Sequence, residues 1–283
     1  MLYLHSSKIA NILGYNKYIT QEKYIQIFYD YLYKKNDELK KKDEENINIK
    51  IINSTDEHNN IINKIYNDVT EEQQNNIKNI LENKIESTEI LIEKTKFIKN
   101  IINNLAYSNQ EKSKIKNEIE RNINCNYGIN TESNGIQKYE SITDNKVSNT
   151  NTKLYTLNCN NYTICGKVDG FVKINNIEYI FEIKNRKNRL FQEIPIYEQI
   201  QLLIYTKLLN NTNIIFVQNI DNDIHTNILN NYTNDDLWKN IKKKLNLYTE
   251  LIYKLQNDNN LRHYFLKKNK REKYKFIIEY INN

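Results

Sequence analysis

Several residue types that usually punctuate a fold are scarce in this 283-residue sequence. It contains one proline, five glycines, one methionine and three cysteines. The cysteines form no Cys-x-x-Cys pair, and they are too few for a four-cysteine iron–sulfur cluster. The four histidines are scattered along the chain, so we do not expect a zinc site.

Long apolar segments are also missing. No run approaches the roughly 20 apolar residues of a membrane span, so we predict no membrane association. Residues 1–5 lack the charged and apolar regions of a signal peptide. Together with the cysteine pattern, this predicts a reduced, intracellular protein, in the cytoplasm or nucleus of a host cell. The net charge of +6 is compatible with a polyanionic partner but does not require one.

The abundant residues are Asn, Ile, Lys and Tyr, a composition typical of an A/T-rich coding sequence. Hydrophobic residues make up only 39% of the chain, but the apolar positions are periodic, and an aromatic content of 11% is enough for a core. The predicted order is helices, then three strands, a helix and a strand, then helices. We therefore predict an α/β fold with a mixed central sheet flanked by helices.

The chain divides into four predicted segments. They are N-terminal helices of the main domain (1–35), a low-complexity helical insertion (36–120), an α/β core (121–232), and C-terminal helices with a basic tail (233–283). Within the insertion an approximate helical period favours long helices arranged as a hairpin, with apolar positions such as Ile77, Ile80, Leu81 and Ile85. The alternative is a partly disordered insertion.

Local signals place elements along the rest of the chain. A serine should cap a short helix that ends at Gly14, and Thr20 should open a second helix. Strands are predicted over 153–157, 162–173 and 177–184, and Asn175-Asn176 predicts a tight turn that makes the last two an antiparallel hairpin. A helix should follow Pro195, then strands over 213–218 and 224–229 and a long helix over 235–256.

Two opposite charges share one face of the third predicted strand. Since side chains alternate, Glu182 and Lys184 point one way, and Phe181 and Ile183 point to an apolar side. The hairpin brings Asp169 alongside. Mg²⁺ prefers oxygen ligands, so Asp169, Glu182 and the Ile183 carbonyl predict a Mg²⁺ site that Mn²⁺ would also fit. Lys184 would orient a water or stabilise charge on a phosphate.

This Asp and Glu-x-Lys core resembles the PD-(D/E)xK nuclease superfamily, and three further segments resemble its lambda-exonuclease-like viral recombinase family. Ser7–Tyr18 has a serine leading a helix and then a Gly-x-Asn-x-Tyr turn. Tyr127–Glu132 with Gly135–Glu140 looks like the family's helical glutamate motif, and Ile196–Gln201 is similar to its Gln-x-Gln helix. The resemblance leaves out residues 36–120 and the C-terminal tail.

The resemblance implies a restriction-endonuclease-like core and a Mg²⁺-dependent deoxyribonuclease. Such enzymes are usually exonucleases that act on duplex DNA in recombination, repair or viral genome processing. DNA is the expected partner. The resemblance also implies a protein partner, either a second copy of the chain or a single-strand annealing protein. The likeness and the A/T-rich composition favour a virus or mobile element as the source.

The family motifs also imply roles for single residues. Glu132 would be the helix glutamate near the metal, Asp169 and Glu182 metal ligands, and Lys184 the catalytic lysine. Gln199 and Gln201 would support the site from the following helix. Ser7 would help to hold a terminal phosphate.

Basic residues follow the predicted catalytic strand. Arg186, Lys187 and Arg189 would neutralise phosphates beside the scissile bond, although a basic loop is also typical of this composition. The family has a basic residue shortly before the serine that corresponds to Ser7, but residues 1–5 contain no arginine, so the resemblance does not extend to recognition of a 5′ phosphate. This departure favours a structure- or sequence-specific endonuclease on the same core as one alternative function. A non-catalytic nucleic-acid-binding protein is the other.

Overall fold

We describe a computed structural model of the chain over residues 1–82, 88–220 and 223–283. The predicted core position Ile85 lies outside these residues. The helices before the sheets are α1 (Ser6–Ile12), α2 (Gln21–Leu32), α3 (Asp37–Ile47), α4 (Ser54–Asn67), α5 (Glu71–Glu82), α6 (Thr88–Asn104) and α7 (Asn109–Thr143). The later helices are α8 (Ile196–Leu209), α9 (Asp235–Asn257), α10 (Asn259–Lys267) and α11 (Lys270–Asn282).

The strands form two sheets. They are β1 (Leu2–His5), β2 (Val147–Ser148), β3 (Tyr155–Asn158), β4 (Tyr162–Gly166), β5 (Gly170–Ile174), β6 (Ile177–Asn185), β7 (Ile214–Ile220) and β8 (Asp223–Leu229). The smaller sheet has the order β1-β4-β3, and the larger has the order β2-β5-β6-β7-β8. In the larger sheet β6 and β7 are parallel and the other neighbours are antiparallel.

The helix start signals are partly confirmed. Thr20 caps α2 by accepting a hydrogen bond from the Lys23 N–H at 3.2 Å. The predicted serine cap of α1 is wrong, because His5 occupies that position and makes no side-chain capping bond. Gly14 follows α1 with a φ of +74°, a conformation that glycine adopts without strain.

The predicted strand over 162–173 is two strands. The chain leaves the smaller sheet after Gly166 and enters the larger sheet at Gly170, so Asp169 lies in the connection. The predicted hairpin between β5 and β6 is confirmed: Asn175 and Asn176 have φ angles of 50° and 67°, as a tight two-residue hairpin turn requires.

Helices cover both faces of the larger sheet, which confirms the predicted α/β class. On one face Tyr139 of α7 packs on Phe181 with ring centroids 4.9 Å apart. On the other face Leu202 and Tyr205 of α8 pack against Ile180 and its neighbours. β6 is therefore buried from both sides.

The predicted insertion is helical, but it is larger than a hairpin. Helices α4 to α7 share an isoleucine-rich core of their own. The helix α7 runs through the predicted boundary at residues 120 and 121, so one helix belongs both to this bundle and to the larger sheet. The basic tail forms α10 and α11, which pack against α9 and the N-terminal helices. Within the described residues no helix has the length and apolar character of a membrane span.

Candidate active site

Two carboxyl groups meet where β5 begins. Gly170 pairs with Phe181 in the β5–β6 ladder, which places the preceding Asp169 beside Glu182. The Ile183 N–H donates a hydrogen bond to Asp169 Oδ2 at 2.8 Å. Ile183 thus fixes the Asp169 carboxylate with its amide, and a metal-binding role for its carbonyl stays a prediction.

Lys184 completes this cluster from the same face of β6. Its ammonium group donates to Glu182 Oε1; the Glu182 side chain is 1% exposed, and that of Lys184 is 26% exposed. Burial alone would lower the pKa of Lys184, but the carboxylates of Glu182 and Asp169 raise it above the ordinary value. Lys184 is therefore a protonated lysine at neutral pH, suited to donate to an anion and unsuited to act as a base.

The surroundings of the carboxyl pair disfavour its ionised form. Burial raises the pKa of Asp169, although Lys184 and the Ile183 N–H oppose this effect. Burial, and next the Asp169 charge, raise the pKa of Glu182 well above its usual range. Glu182 Oε2 is buried without a hydrogen-bond partner among the described residues. A cation in addition to Lys184 would favour the ionised forms of Asp169 and Glu182 and would give Glu182 Oε2 a partner.

These donors fit a hard cation such as Mg²⁺. Two carboxyl groups in contact supply oxygen ligands, and Mg²⁺ commonly takes only one or two carboxylates from the protein. The described residues hold no group of three or more His, Cys, Asp or Glu side chains arranged to bind a metal ion. The donor set is thus the pair Asp169 and Glu182, with Glu132 as a more distant carboxylate.

Glu132 reaches the cluster from α7. A Cβ atom at Gly135 would lie 2.7 Å from Ile183 Cδ1 and 2.9 Å from Asn185 Oδ1, so glycine is what allows α7 to pack this closely on β6. Burial and the Asp169 charge raise the pKa of Glu132 to about 7, against the effects of Asn151 and Lys184. Asn151 donates its amide N–H to Glu132 Oε1.

The two glutamines of α8 have different positions. Gln201 donates to the Tyr205 hydroxyl at 2.7 Å, and Tyr205 lies near the cluster, since burial and the Glu182 charge raise its pKa. Gln199 instead donates to the Ile194 carbonyl at 2.6 Å and so holds the loop before α8. The structure brings Gln201 to the cluster through Tyr205, and it does not bring Gln199 there.

Arg186 is not available to DNA phosphates, contrary to the prediction. It forms a bidentate ion pair with Glu198, with both N–O distances at 2.7 Å and side chains only 11% and 6% exposed. Its Nε also donates to Gln218 Oε1 at 3.0 Å. Arg189 is exposed, and Lys187 Nζ lies 3.4 Å from Asn124 Oδ1 of α7. The cationic surface of this loop is therefore Lys187 and Arg189.

The serine at the start of α1 that faces the interior is Ser6. It is 4% exposed, and a Cβ at Gly166 would lie 2.5 Å from Ser6 Oγ and 3.1 Å from the Tyr205 ring. Ser7 is exposed on the outer side of the helix. The structure thus turns Ser7 outward on α1, and the serine that faces the interior is its neighbour Ser6.

Sequence reasoning missed four side chains near the site. Tyr205 had a readable signal, because it lies four residues after Gln201 on the same helix face. Glu198 and Gln218 had none, since only the fold brings them to Arg186. Asn151 lies in the connection between β2 and β3, with a φ of 48°, and its contact to Glu132 joins positions 19 residues apart.

Comparisons with known proteins do not assign this chain to a family. No protein-family model matches it, and no curated protein matches it. A solved structure described as "Crystal structure of SSO0001" aligns over 66% of this chain and 82% of its own, with 16% sequence identity and a TM-score of 0.32. A TM-score this low carries no argument about fold or function.

Proposed function

We propose that this protein is a divalent-metal-dependent nuclease that hydrolyses phosphodiester bonds in DNA, with exonuclease action on duplex DNA as the leading form. The observation that carries the proposal is the Asp169–Glu182 carboxyl pair beside Lys184, with Glu182 Oε2 left without a partner. The mixed sheet between α7 and α8 is compatible with a restriction-endonuclease-like core, which is part of the proposal.

Each residue of the cluster has a defined task in such a reaction. Asp169 and Glu182 would hold Mg²⁺, which when bound polarises phosphoryl oxygens and lowers the pKa of its water. Lys184, protonated and fixed by Glu182, would donate to a non-bridging phosphate oxygen and stabilise its developing charge. Glu132 would add negative charge on the α7 side. Its pKa of about 7 lets it exist in both protonation states near neutral pH.

The loop after β6 would hold the DNA. The ion pair between Arg186 and Glu198 and the bonds of Gln218 to Phe191 fix the loop at its base. Lys187 and Arg189 are then carried by a loop that is held at its base and that follows the strand of Glu182 and Lys184. Their charges would contact phosphates without reading sequence.

An endonuclease is the second candidate. Exonucleases that require a terminal phosphate need a fork of donors to distinguish it from internal phosphates. Ser7 faces outward on α1, and Arg186 is engaged by Glu198. Both placements favour an enzyme that does not depend on a phosphorylated end.

One assay tests both candidates. Linear and covalently closed circular duplex DNA would be incubated with Mg²⁺, with EDTA, and with the Lys184→Ala variant as the matched control. Cleavage of linear DNA alone supports an exonuclease, and cleavage of both supports an endonuclease. Absence of Mg²⁺-dependent cleavage in the wild type, or equal cleavage by the variant, would refute the proposed function.

A further inference from the structure

Gly128 lies inside α7, where neither the backbone nor the packing requires a glycine. A Cβ added at Gly14, Gly135, Gly166 or Gly170 would meet a heavy atom within 3.2 Å. A Cβ at Gly128 would meet no heavy atom of the described residues within 4 Å. Its φ is not positive, and glycine is among the least favourable residues of a helix interior. The open space beside Gly128 therefore needs another explanation.

This open space adjoins the candidate active site. Gly128 lies one helical turn before Glu132, so both residues are on the same side of α7. Its carbonyl accepts a hydrogen bond from Asn185 Nδ2 at 3.2 Å, and Asn185 directly follows Lys184. One turn earlier, Asn124 Oδ1 lies 3.4 Å from Lys187 Nζ. The open side of α7 at Gly128 thus lies next to the end of β6 and to the loop that carries Lys187.

The length of α7 between Asn124 and Glu132 suits a short stretch of a nucleic-acid strand. From Asn124 to Glu132 is eight helical residues, or about 12 Å at 1.5 Å per residue. This is roughly three nucleotides of a strand that advances 3.4 Å per nucleotide. Lys187 lies at one end, where it would bind a phosphate, and the carboxyl cluster lies at the other.

We propose that Gly128 is a DNA-binding position, which leaves room for the DNA strand to run along α7 from Lys187 to the carboxyl cluster. The inference rests on the proposed nuclease function. Without a side chain at this position, the strand contacts the helix backbone closely. A bulky side chain would hold the strand away from Glu132 and Asp169.

The test compares Gly128→Ala and Gly128→Leu with a matched control, Gln137→Leu. Gln137 is exposed and lies nine residues, or two and a half turns, from Gly128, so it is on the opposite side of α7. The readouts are the anisotropy of a fluorescein-labelled DNA duplex with Ca²⁺ replacing Mg²⁺, kcat and KM for cleavage with Mg²⁺, and the melting temperature.

We expect the alanine variant to change stability and the leucine variant to change DNA binding. Gly128→Ala should raise the melting temperature by about 2 °C, because alanine is the better helix former. Gly128→Leu should weaken DNA binding at least ~tenfold and raise KM, because the added side chain fills the path of the strand. Gln137→Leu should bind and cleave like the wild type. If the leucine variant does not fold, Gly128→Met, which is unbranched, replaces it.

Two failures are distinguishable. A folded Gly128→Leu variant that binds and cleaves like an active wild type would overturn this inference alone. A wild type that neither binds nor cleaves DNA would overturn the proposed function and this inference with it.

Discussion

Replacing Lys184 should separate catalysis from metal binding. Lys184 is the cation that contacts Glu182, and it faces the Asp169–Glu182 pair from the same side of β6. In Lys184→Ala both carboxyl groups remain to bind a divalent cation, and a competing positive charge is gone. We therefore expect Mn²⁺ affinity to be equal to or higher than that of the wild type, while cleavage is lost.

The expected magnitudes follow from the burial of this cluster. Loss of one preorganised donor to the reacting phosphate should lower kcat by at least ~10²-fold, or about 2.7 kcal/mol of transition-state stabilisation. Removing one partner of a buried ion pair should destabilise the metal-free protein by about 3 kcal/mol, the low end of the usual range, because Lys184 is 26% exposed.

The stability loss should depend on pH. Asp169 and Glu182 already have pKa values above their ordinary ones, and loss of Lys184 raises them further. A carboxyl whose folded-state pKa is raised destabilises the fold above its unfolded pKa of about 4, and not below it. The deficit of the variant should thus be largest near pH 8 and shrink toward pH 5, and Mg²⁺ should reduce it.

Calorimetric Mn²⁺ titration, cleavage kinetics and denaturation at two pH values check these statements. Lys184→Met, which keeps much of the side-chain volume, is the control for a simple packing defect. Near-wild-type cleavage by Lys184→Ala would remove Lys184 from the mechanism. A stability loss of equal size at pH 5 and pH 8 would mean that packing, and not charge, explains the effect.

Three further predictions concern neighbouring groups. Asp169→Asn should weaken Mn²⁺ binding at least ~tenfold in calorimetry, because it removes one charge from a site held by charge, and unchanged affinity would refute the ligand assignment. Wild-type cleavage at limiting Mg²⁺ should rise with pH through about pH 7, because Glu132 has a pKa of about 7 and only its ionised form attracts the cation. In Glu132→Gln the rise should be smaller, and the part that remains comes from Asp169 and Glu182, whose pKa values are also raised. Arg186→Ala should destabilise the fold by about 3–5 kcal/mol in urea denaturation, because it leaves Glu198 buried and unpaired. Arg189→Ala should change stability by less than about 0.5 kcal/mol but weaken DNA binding and lower its salt dependence, and the reverse pattern in this pair would contradict our assignment.

The centre of the sheet was predictable from the sequence because its signals are local. Alternation along β6 predicts that Phe181 and Ile183 face one side and Glu182 the other, and both apolar side chains pack in the cluster that contains Tyr139 of α7. The Asn175-Asn176 turn predicts the hairpin, and the hairpin register brings Asp169 to Glu182. Each step uses residues close together in the chain.

Contacts between distant segments were not predictable in the same way. Arg186 is read from sequence as a surface cation because its neighbours are basic. Its burial depends on Glu198 across a loop and on Gln218 in another strand. The break between β4 and β5 was likewise hidden, because the residues on both sides of Asp169 favour strands and only the sheet partners differ.

The helix α7 explains why the predicted segment boundary at residues 120 and 121 is wrong, and it also explains the position of Glu132 in the site. Its first half packs in the helical bundle through Ile115, Ile119, Ile123 and Tyr127, and its second half packs on the sheet through Tyr139. Twelve residues at about 100° each place Tyr139 about a third of a turn around the helix from Tyr127. The apolar stripe therefore changes sides, and no single helical period runs through it.

Glu132 lies between these two packed halves. Its position relative to Asp169 is consequently fixed from both ends, by the bundle before it and by the close contact of Gly135 with β6 after it. A carboxylate whose pKa is raised to about 7 by burial and a neighbouring charge would move away from that charge if its helix were free to do so. We therefore expect the bundle, formed by residues that appeared peripheral in the sequence, to hold α7, and with it Glu132, in place against the charge of Asp169.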